Sequence, residues 1–396
     1  MPIPTPFHSR TAPLCTTFEW RDWAGYLAPA LYEPAHDREY YAIRNAAALI
    51  DVSPLFKYEI SGPDAARVVD RLIPRRTTNF RVGQVIYTPW CDEDGQVIDD
   101  GTVARLAENH FRITAADPNF RWFEDVAFGF DARVENVTEA LAALALQGPN
   151  SRAILRELVA GVDFDALRYY HLAHGAIDGF DVTITRTGYT GDLGYELWVA
   201  PENATALWDR LMACGQSYGL LPAGMVALDV ARIEAGLLLI EVDYKSSRHT
   251  QTEAQKSSPY ELGLGWTVHL DKGPFIGRDA LRAEKARGSE WALVGIAVSW
   301  TDLERLYARE DLPPQVAGRA SRQAVPVYRN GRQVGQMTSH TFSPILKQYV
   351  GLATVRSEFA ALGAPVEVEV TVEYRRKRAG GLVVPTPFYD PPHKRA

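Results

Sequence analysis

"TRTGYTGDLGYELWV", residues 185–199, sets three threonines, three glycines and two tyrosines in and around an ending that reads as a strand. A plain hairpin needs only a two-residue turn, so the extra hydroxyls and turn-formers mark either a decorated loop or the wall of a binding site. Glycine removes side-chain bulk, which would let the backbone of Thr187-Gly188-Tyr189-Thr190-Gly191 approach a ligand closely. Tyr189 offers a flat ring and a hydroxyl, and Glu196 a pair of acceptors. From these residues alone, a self-satisfied loop and a site are equal alternatives.

The chain around this stretch has 396 residues, too many for one ordinary core, so two or three domains are expected. No window approaches 18 uninterrupted apolar residues, which argues against a membrane span. The N-terminus, MPIPTPFHSRTAPLC, lacks the apolar core of a signal peptide, and its prolines predict an extended lead-in. Cys15, Cys91 and Cys214 lie far apart with no CxxC pair, a pattern that fits a reducing cytoplasm rather than a disulfide framework. A net charge of −7 gives no electrostatic reason to expect a nucleic-acid partner. The one basic run, Arg375-Arg376-Lys377-Arg378, reads as a solvated strand end.

Three zones emerge. From about 47 to 135, FKYEISG alternates as a strand, PDAARVVDRLI follows as a helix opened by Pro63, and QVIYTPWC, QVIDDGTVARL and FRITAA read as an antiparallel meander. A helix, NFRWFEDVAF, closes this zone. From about 136 to 287, short helices (PNSRAILRELV, ATALWDRLMACGQSYG, GMVALDVARIEAGLL) mix with strands such as FDVTITRT and YELWV. The charged LRAEKARGSE then marks a surface helix and a boundary. Beyond about 292 the pattern is nearly all β, and Asn330-Gly331 between AVPVYR and RQVGQMT predicts a type I′ hairpin. Short, regularly spaced strands there predict a barrel or sandwich.

The common enzymatic signatures for nucleotides, nicotinamide cofactors, zinc and serine hydrolysis are missing. His171 and His174 in HLAH have no further clustered ligands, so no metal site is expected. Three candidates remain. Asp99-Asp100 ends a meander strand, and alternation should turn one carboxylate to solvent and the other inward, where it needs a cation, hydrogen bonds or a ligand. The opening stretch is the second. In GMVALDVARIEAG, Asp229 and Arg232 stand at i,i+3 and can pair, whereas Glu234 falls off that face and needs its own partner.

Taken together and in this order, AALIDVSPLFKYEISGPDA (47–65), GQVIDDGTV (95–103), LALQGPNSR (144–152), RTGYTGDLGYEL (186–197), PAGMVALDVARIEAG (222–236), KGPFIGRDAL (272–281), GQMTSHTFSP (335–344) and PFY (387–389) resemble the glycine-cleavage T-protein (aminomethyltransferase) family. The resemblance covers about residues 20 to 390. It implies an α+β, three-lobed cloverleaf around a central folate channel, with a C-terminal β-barrel domain. Residues 1–52 plus 136–287 would form a discontinuous folate-binding lobe, 53–135 a meander lobe carrying Asp100, and 288–396 the barrel.

By the same resemblance Asp100 matches the catalytic or substrate-orienting aspartate. Tyr87, Tyr189 and Glu196 match residues lining a tetrahydrofolate site, with Glu196 holding the aminopyrimidine edge of the pterin, where a carboxylate accepts two parallel N–H donors. Arg395, after PFY, matches a C-terminal arginine of the family. Other positions depart from the family pattern. Pro54-Leu55-Phe56 replace HMG, Thr114 replaces an asparagine, Leu228 an arginine and Leu237 a tyrosine, so the pocket is less polar. The segment EVDYKSSRHTQTEAQKSSPYELG after Ile240 is longer and more charged. Arg112, two residues before Thr114 on one strand face, or Arg248 would replace the lost arginine at a substrate or folate carboxylate, with a plain surface arginine as the equal alternative. The resemblance thus implies a cytoplasmic, tetrahydrofolate-dependent C1 transferase, read as a demethylase moving a methyl group from a small donor to folate N5. The alternatives are an aminomethyltransferase with a lipoyl carrier partner and a folate-binding regulatory protein.

Overall fold

The computed structural model describes residues 1–395, and its elements fall into three lobes. The N-terminus is not the extended lead-in expected from its prolines. β1 (Ile3–Pro4) is followed by α1 (His8–Thr11) and a 3₁₀ turn at Ala12–Leu14, then by the hairpin β2 (Trp20–Trp23) and β3 (Tyr26–Pro29). The cause is Phe7, which is fully buried beside Trp208 and pulls the segment onto the core. α2 (Asp37–Asn45) and β4 (Ala47–Asp51) lead into the main lobe.

The meander lobe contains β5 (Phe56–Ser61), α3 (Ala65–Leu72), β6 (Val85–Cys91), β7 (Val97–Ala107), β8 (His110–Ala115), α4 (Phe120–Ala127) and β9 (Arg133–Asn136). Its five strands run in the order β6-β7-β8-β5-β9. Val68, Val69 and Leu72 of α3 stand at helical spacing and are fully buried with Tyr58 and Ile60 of β5 and Phe111 and Ile113 of β8.

The main lobe resumes with β10 (Ala142–Gln147), α5 (Ser151–Leu158), β11 (Leu172–Ile177), β12 (Phe180–Thr185), β13 (Gly194–Val199), α6 (Ala204–Gly215), β14 (Leu220–Pro222) and α7 (Met225–Glu234). Its six strands follow the order β11-β12-β13-β10-β4-β14. The central strands β4 and β10 are apolar up to their last residues, Asp51 and Gln147, because both sheet faces are covered. Leu49, Leu144 and Leu146 feed one core with α5 and α6, while Ala48, Ile50, Ala143 and Ala145 feed another with α2 and α7.

After α8 (Arg278–Arg287), the third lobe is β15 (Trp291–Val298), α9 (Trp300–Ala308), β16 (Val325–Arg329), β17 (Arg332–Ser343), β18 (Gln348–Arg356), β19 (Pro365–Val372) and β20 (Arg375–Val384). The strands close into a barrel in the order β15-β18-β17-β16-β19-β20. Asn330 and Gly331 both take positive φ, 51° and 77°, as the predicted I′ turn requires. The nearly all-β expectation missed α9. Its signals are local: the Ser299 hydroxyl accepts from the Asp302 N–H as an N-cap, and Leu303, Leu306 and Tyr307 share the buried face. The basic run on β20 meets acidic neighbours, with Lys377 Nζ 3.0 Å from Glu310 Oε1 and Arg378 Nη1 3.7 Å from Glu367 Oε2. No helix of the described residues is long and apolar enough to cross a membrane.

Candidate functional site

The three lobes meet on one cavity of about 610 Å³. Asp100, Gly101 and Thr102 of β7 and Thr114 of β8 enter from the meander lobe. Gln147 of β10 and Glu196 of β13 enter from the main lobe, with Leu228 and Asp229 from α7. Leu293 of the barrel and Thr386 and Pro387 beyond it complete the wall.

Asp100 is held by two phenols. Tyr87 Oη, on the neighbouring strand β6, donates to Asp100 Oδ2 at 2.7 Å. Tyr244 Oη donates to Oδ1. Burial raises the Asp100 carboxyl above the usual carboxylate range, and the two phenol bonds offset part of that rise. Burial also pushes both phenols well up, with the Asp100 charge adding to it, so they stay protonated donors. Tyr244 lies in the long charged segment after Ile240, and no local spacing links it to Asp100. The same segment straps the aspartate strand through Ser247 N–H to Val97 O and Val97 N–H to Ser257 O, both 2.8 Å.

The expectation that one carboxylate of the pair would face solvent is corrected. Asp99 is fully buried and satisfied on the opposite side of β7. Its oxygens accept from the Asp100 N–H at 2.7 Å, Asn119 Nδ2 at 2.8 Å and the Asp117 N–H at 3.1 Å. Burial, and then the Asp100 charge, raise its carboxyl. β7 therefore presents Asp100 to the cavity and Asp99 to a polar network, because α4 and its lead-in cover the far face. Gly101 is required between them and β8, since a Cβ there would lie 1.9 Å from the Thr114 carbonyl oxygen.

The glycines of residues 185–199 serve a different neighbour from the one first considered. Added Cβ atoms at Gly188 and Gly194 would fall 2.0 and 2.2 Å from Gln147 Oε1. The two glycines thus make room for the Gln147 carboxamide, which donates to Thr187 O at 3.3 Å and accepts from Thr190 Oγ1 at 2.8 Å. Gly191, at φ +74°, would carry a Cβ 2.4 Å from Ala235 Cβ on the chain leaving α7. The threonines orient Glu196: Thr187 Oγ1 donates to Glu196 Oε2 at 2.6 Å and Thr185 Oγ1 at 3.3 Å. Glu196 Oε1 has no hydrogen-bond partner among the described residues, and burial raises the carboxyl despite the two hydroxyls. Tyr189 lines the cavity with its hydroxyl donated to Leu238 O.

Tyr87, Asp100, Thr114, Tyr189 and Glu196 thus converge, as do the departures Leu55, Leu228 and Leu237. Three arginines do not line the cavity. Arg112 does share a strand face with Thr114, but Glu59, directly opposite on β5, captures its Nε at 3.0 Å and Nη2 at 2.8 Å. Arg248 is exposed with its guanidinium 5.6 Å from the Trp122 ring centre. Arg395 is paired with Asp390 at 2.9 Å. Sequence reasoning passed over Gln147, Tyr244, Arg21 and Arg322, although Gln147 lies inside the LQGPNSR motif.

Behind the cavity, Arg232 pairs with Asp243 at 2.6 Å and more loosely with Asp229 at 3.6 Å. Glu234 finds its own partners, Tyr40 Oη at 2.7 Å and Arg44 Nη2 at 2.6 Å. His171 and His174 are spent on Tyr169 O and Thr183 Oγ1. Elsewhere His249 Nδ1 lies 3.3 Å from Glu241 Oε1 and 3.5 Å from Asp117 Oδ2.

A cavity lined by carboxylates and aromatic rings, and built jointly by three lobes, has the form of a small-molecule site at a lobe junction. Residues 12–272 match the GCVT N-terminal domain, and residues 314–390 match the glycine cleavage T-protein C-terminal barrel domain. An aminomethyltransferase of Halothermothrix orenii is 35% identical over 373 residues, covering 93% of this chain and 95% of the relative. One of Moorella thermoacetica is 35% identical over 377 residues, 94% of each. The crystal structure of the glycine cleavage system aminomethyltransferase T from Bartonella henselae superposes with a TM-score of 0.83 at 25% identity, over 98% of this chain and 99% of that one. The chain belongs to the glycine-cleavage T-protein family.

Proposed function

We propose that the protein is a tetrahydrofolate-dependent one-carbon transferase that moves a methyl group from a small donor to folate N5. The observation that carries the reading is the free Oε1 of Glu196 in the same cavity as the phenol-held Asp100. A buried carboxylate with an unspent oxygen calls for a donor, and the aminopyrimidine edge of a pterin supplies one of the right shape. The volume and the mixed polar and aromatic lining suit a molecule of that size. Bound tetrahydrofolate would supply the accepting nitrogen.

The chain's own residues would do the positioning. Glu196, fixed by Thr185 and Thr187, would set the depth and rotation of the pterin. Asp100, fixed by Tyr87 and Tyr244, would orient the accepting nitrogen or stabilise positive charge on the donor. No side-chain nucleophile is needed, since holding two reactants aligned is worth about 7–11 kcal/mol. Leu55, Leu228 and Leu237 favour a small, weakly polar donor.

A second reading is aminomethyl transfer in glycine cleavage with a lipoyl carrier, favoured by the aminomethyltransferase names of relatives that align over nearly the whole chain. One experiment separates them. The protein is incubated with tetrahydrofolate and a panel of S-, N- and O-methyl donors, and in parallel with an aminomethylated lipoyl carrier. Methyltetrahydrofolate formed with one donor, and lost in Asp100→Asn, supports the first reading. Methylenetetrahydrofolate formed only with the carrier overturns it in favour of the second. Folate binding without turnover in either arm leaves a binding protein.

A further inference from the structure

The cavity's charged lining is unevenly distributed. Asp22, Asp100, Glu196 and Asp229 supply acids, whereas Arg21 and Arg322 are the only cations that line it among the described residues. Both cations converge on Asp229, although they come from opposite ends of the chain. Arg322 approaches it as a fork, Nε to Oδ2 and Nη2 to Oδ1, both at 2.9 Å. Arg21 Nη1 reaches Oδ2 at 3.0 Å. Arg232, the other cation near Asp229, is committed to Asp243 and Ser339 Oγ. Asp22 turns its Oδ1 to the Gly25 N–H at 2.8 Å.

This arrangement leaves donors over. Arg322 Nη1 and Arg21 Nε and Nη2 have no hydrogen-bond partner among the described residues, and the two side chains are 35% and 29% exposed. A guanidinium with spare N–H groups matches a carboxylate bidentately, which a lone ammonium does not. The segment that brings Arg322 is anchored independently, through the Ser321–His340 backbone bridge and the Arg319–Glu19 pair at 2.8 Å. Asp229 holds the two guanidinium groups in place and offsets one of their charges.

We propose that Arg21 and Arg322, converging on Asp229, form a site for the carboxylate group of a small molecule bound in the cavity. The site deepens the folate-transferase reading and rests on it for the identity of that molecule, since either the glutamyl end of a folate or the methyl donor could bring the carboxylate.

The test measures binding by calorimetry to the full chain and to Arg21→Gln and Arg322→Gln. Each variant leaves Asp229 one arginine, and melting curves check that the fold is kept. The probes are tetrahydrofolate, tetrahydropteroate (which lacks the glutamyl carboxylates), glutarate, N,N-dimethylglycine and the amide of dimethylglycine. A tenfold or greater loss for tetrahydrofolate, with tetrahydropteroate unchanged, upholds the site and assigns it to folate. The same loss confined to dimethylglycine, with its amide binding no better to the wild type than to the variants, upholds it and assigns it to the donor. If tetrahydrofolate does not bind the wild type, the folate reading fails. The arginine site is then judged on glutarate and dimethylglycine, upheld by arginine-dependent binding of either and overturned by its absence. Binding of every probe within twofold in wild type and variants overturns the proposal and leaves the cluster as a latch between lobes.

Discussion

Tyr87 Oη and Asp100 Oδ2 lie 2.7 Å apart on adjacent antiparallel strands, and Tyr244 closes on the other oxygen of the same carboxylate. The pair is built into the sheet, because Pro89 opposes Asp100 and Thr102 opposes Tyr87 in the register. Asp100 therefore has its rotation decided before any ligand arrives. Asp100→Asn keeps the shape but turns one acceptor into a donor facing a phenol. Turnover is expected to fall by about 10²–10³. Melting temperature should be little changed, since the variant also removes a buried charge. Unchanged turnover in single-turnover assays would end the assignment.

Glu196→Gln keeps the Thr187 contact possible but puts an amide donor in place of the unspent Oε1 acceptor. Folate affinity should drop by about 1.5–3 kcal/mol, the worth of a charge-assisted hydrogen bond. Fluorescence titration with tetrahydrofolate reads this directly, and equal affinity in the two proteins would move the pterin edge elsewhere.

Gly188→Ala places a Cβ where the Gln147 carboxamide now sits. The φ of Gly188 is not in the left-handed region, so the cost is steric and should be about 1–3 kcal/mol. Gln147→Ala empties that space. In urea unfolding the double variant should therefore recover part of the Gly188→Ala loss, and strict additivity of the two would refute the contact.

Lys57 is fully buried, with Nζ donating to Ser53 O at 2.6 Å, and burial lowers its ammonium to about 7. The unfolded chain holds this proton up to the ordinary lysine value of 10.5. Between those limits the unfolded state binds more protons, so stability rises as pH rises through 7 and beyond, by at most about 1.4 kcal/mol per pH unit. Lys57→Met should flatten that slope in chemical unfolding between pH 6.5 and 9. A slope unchanged by the substitution would assign it to other groups.

Much of the architecture is legible along the chain because its determinants are local. The Asn330-Gly331 turn, the alternating β5 and the amphipathic α3 each carry their geometry in neighbouring residues. α9 was hidden only by the strands around it, since Ser299 and Asp302 announce its start.

The site divides along the same line. The order of motifs identified the family and brought Tyr87, Asp100, Tyr189 and Glu196 forward as one group. It could not place arginines. Arg112 has the correct strand face and is lost to Glu59, its direct partner across the sheet. Arg21 and Arg322 reach the cavity from chain ends that no spacing relates. What residues 185–199 determine by themselves is a glycine-rich approach to a strand carrying Glu196. Only the tertiary structure decides that the glycines clear space for Gln147, because the amide that fills it comes from a strand about 40 residues earlier, paired through the sheet. Backbone preferences act over a few residues, whereas burial and charge pairing are satisfied by whatever the fold brings within reach.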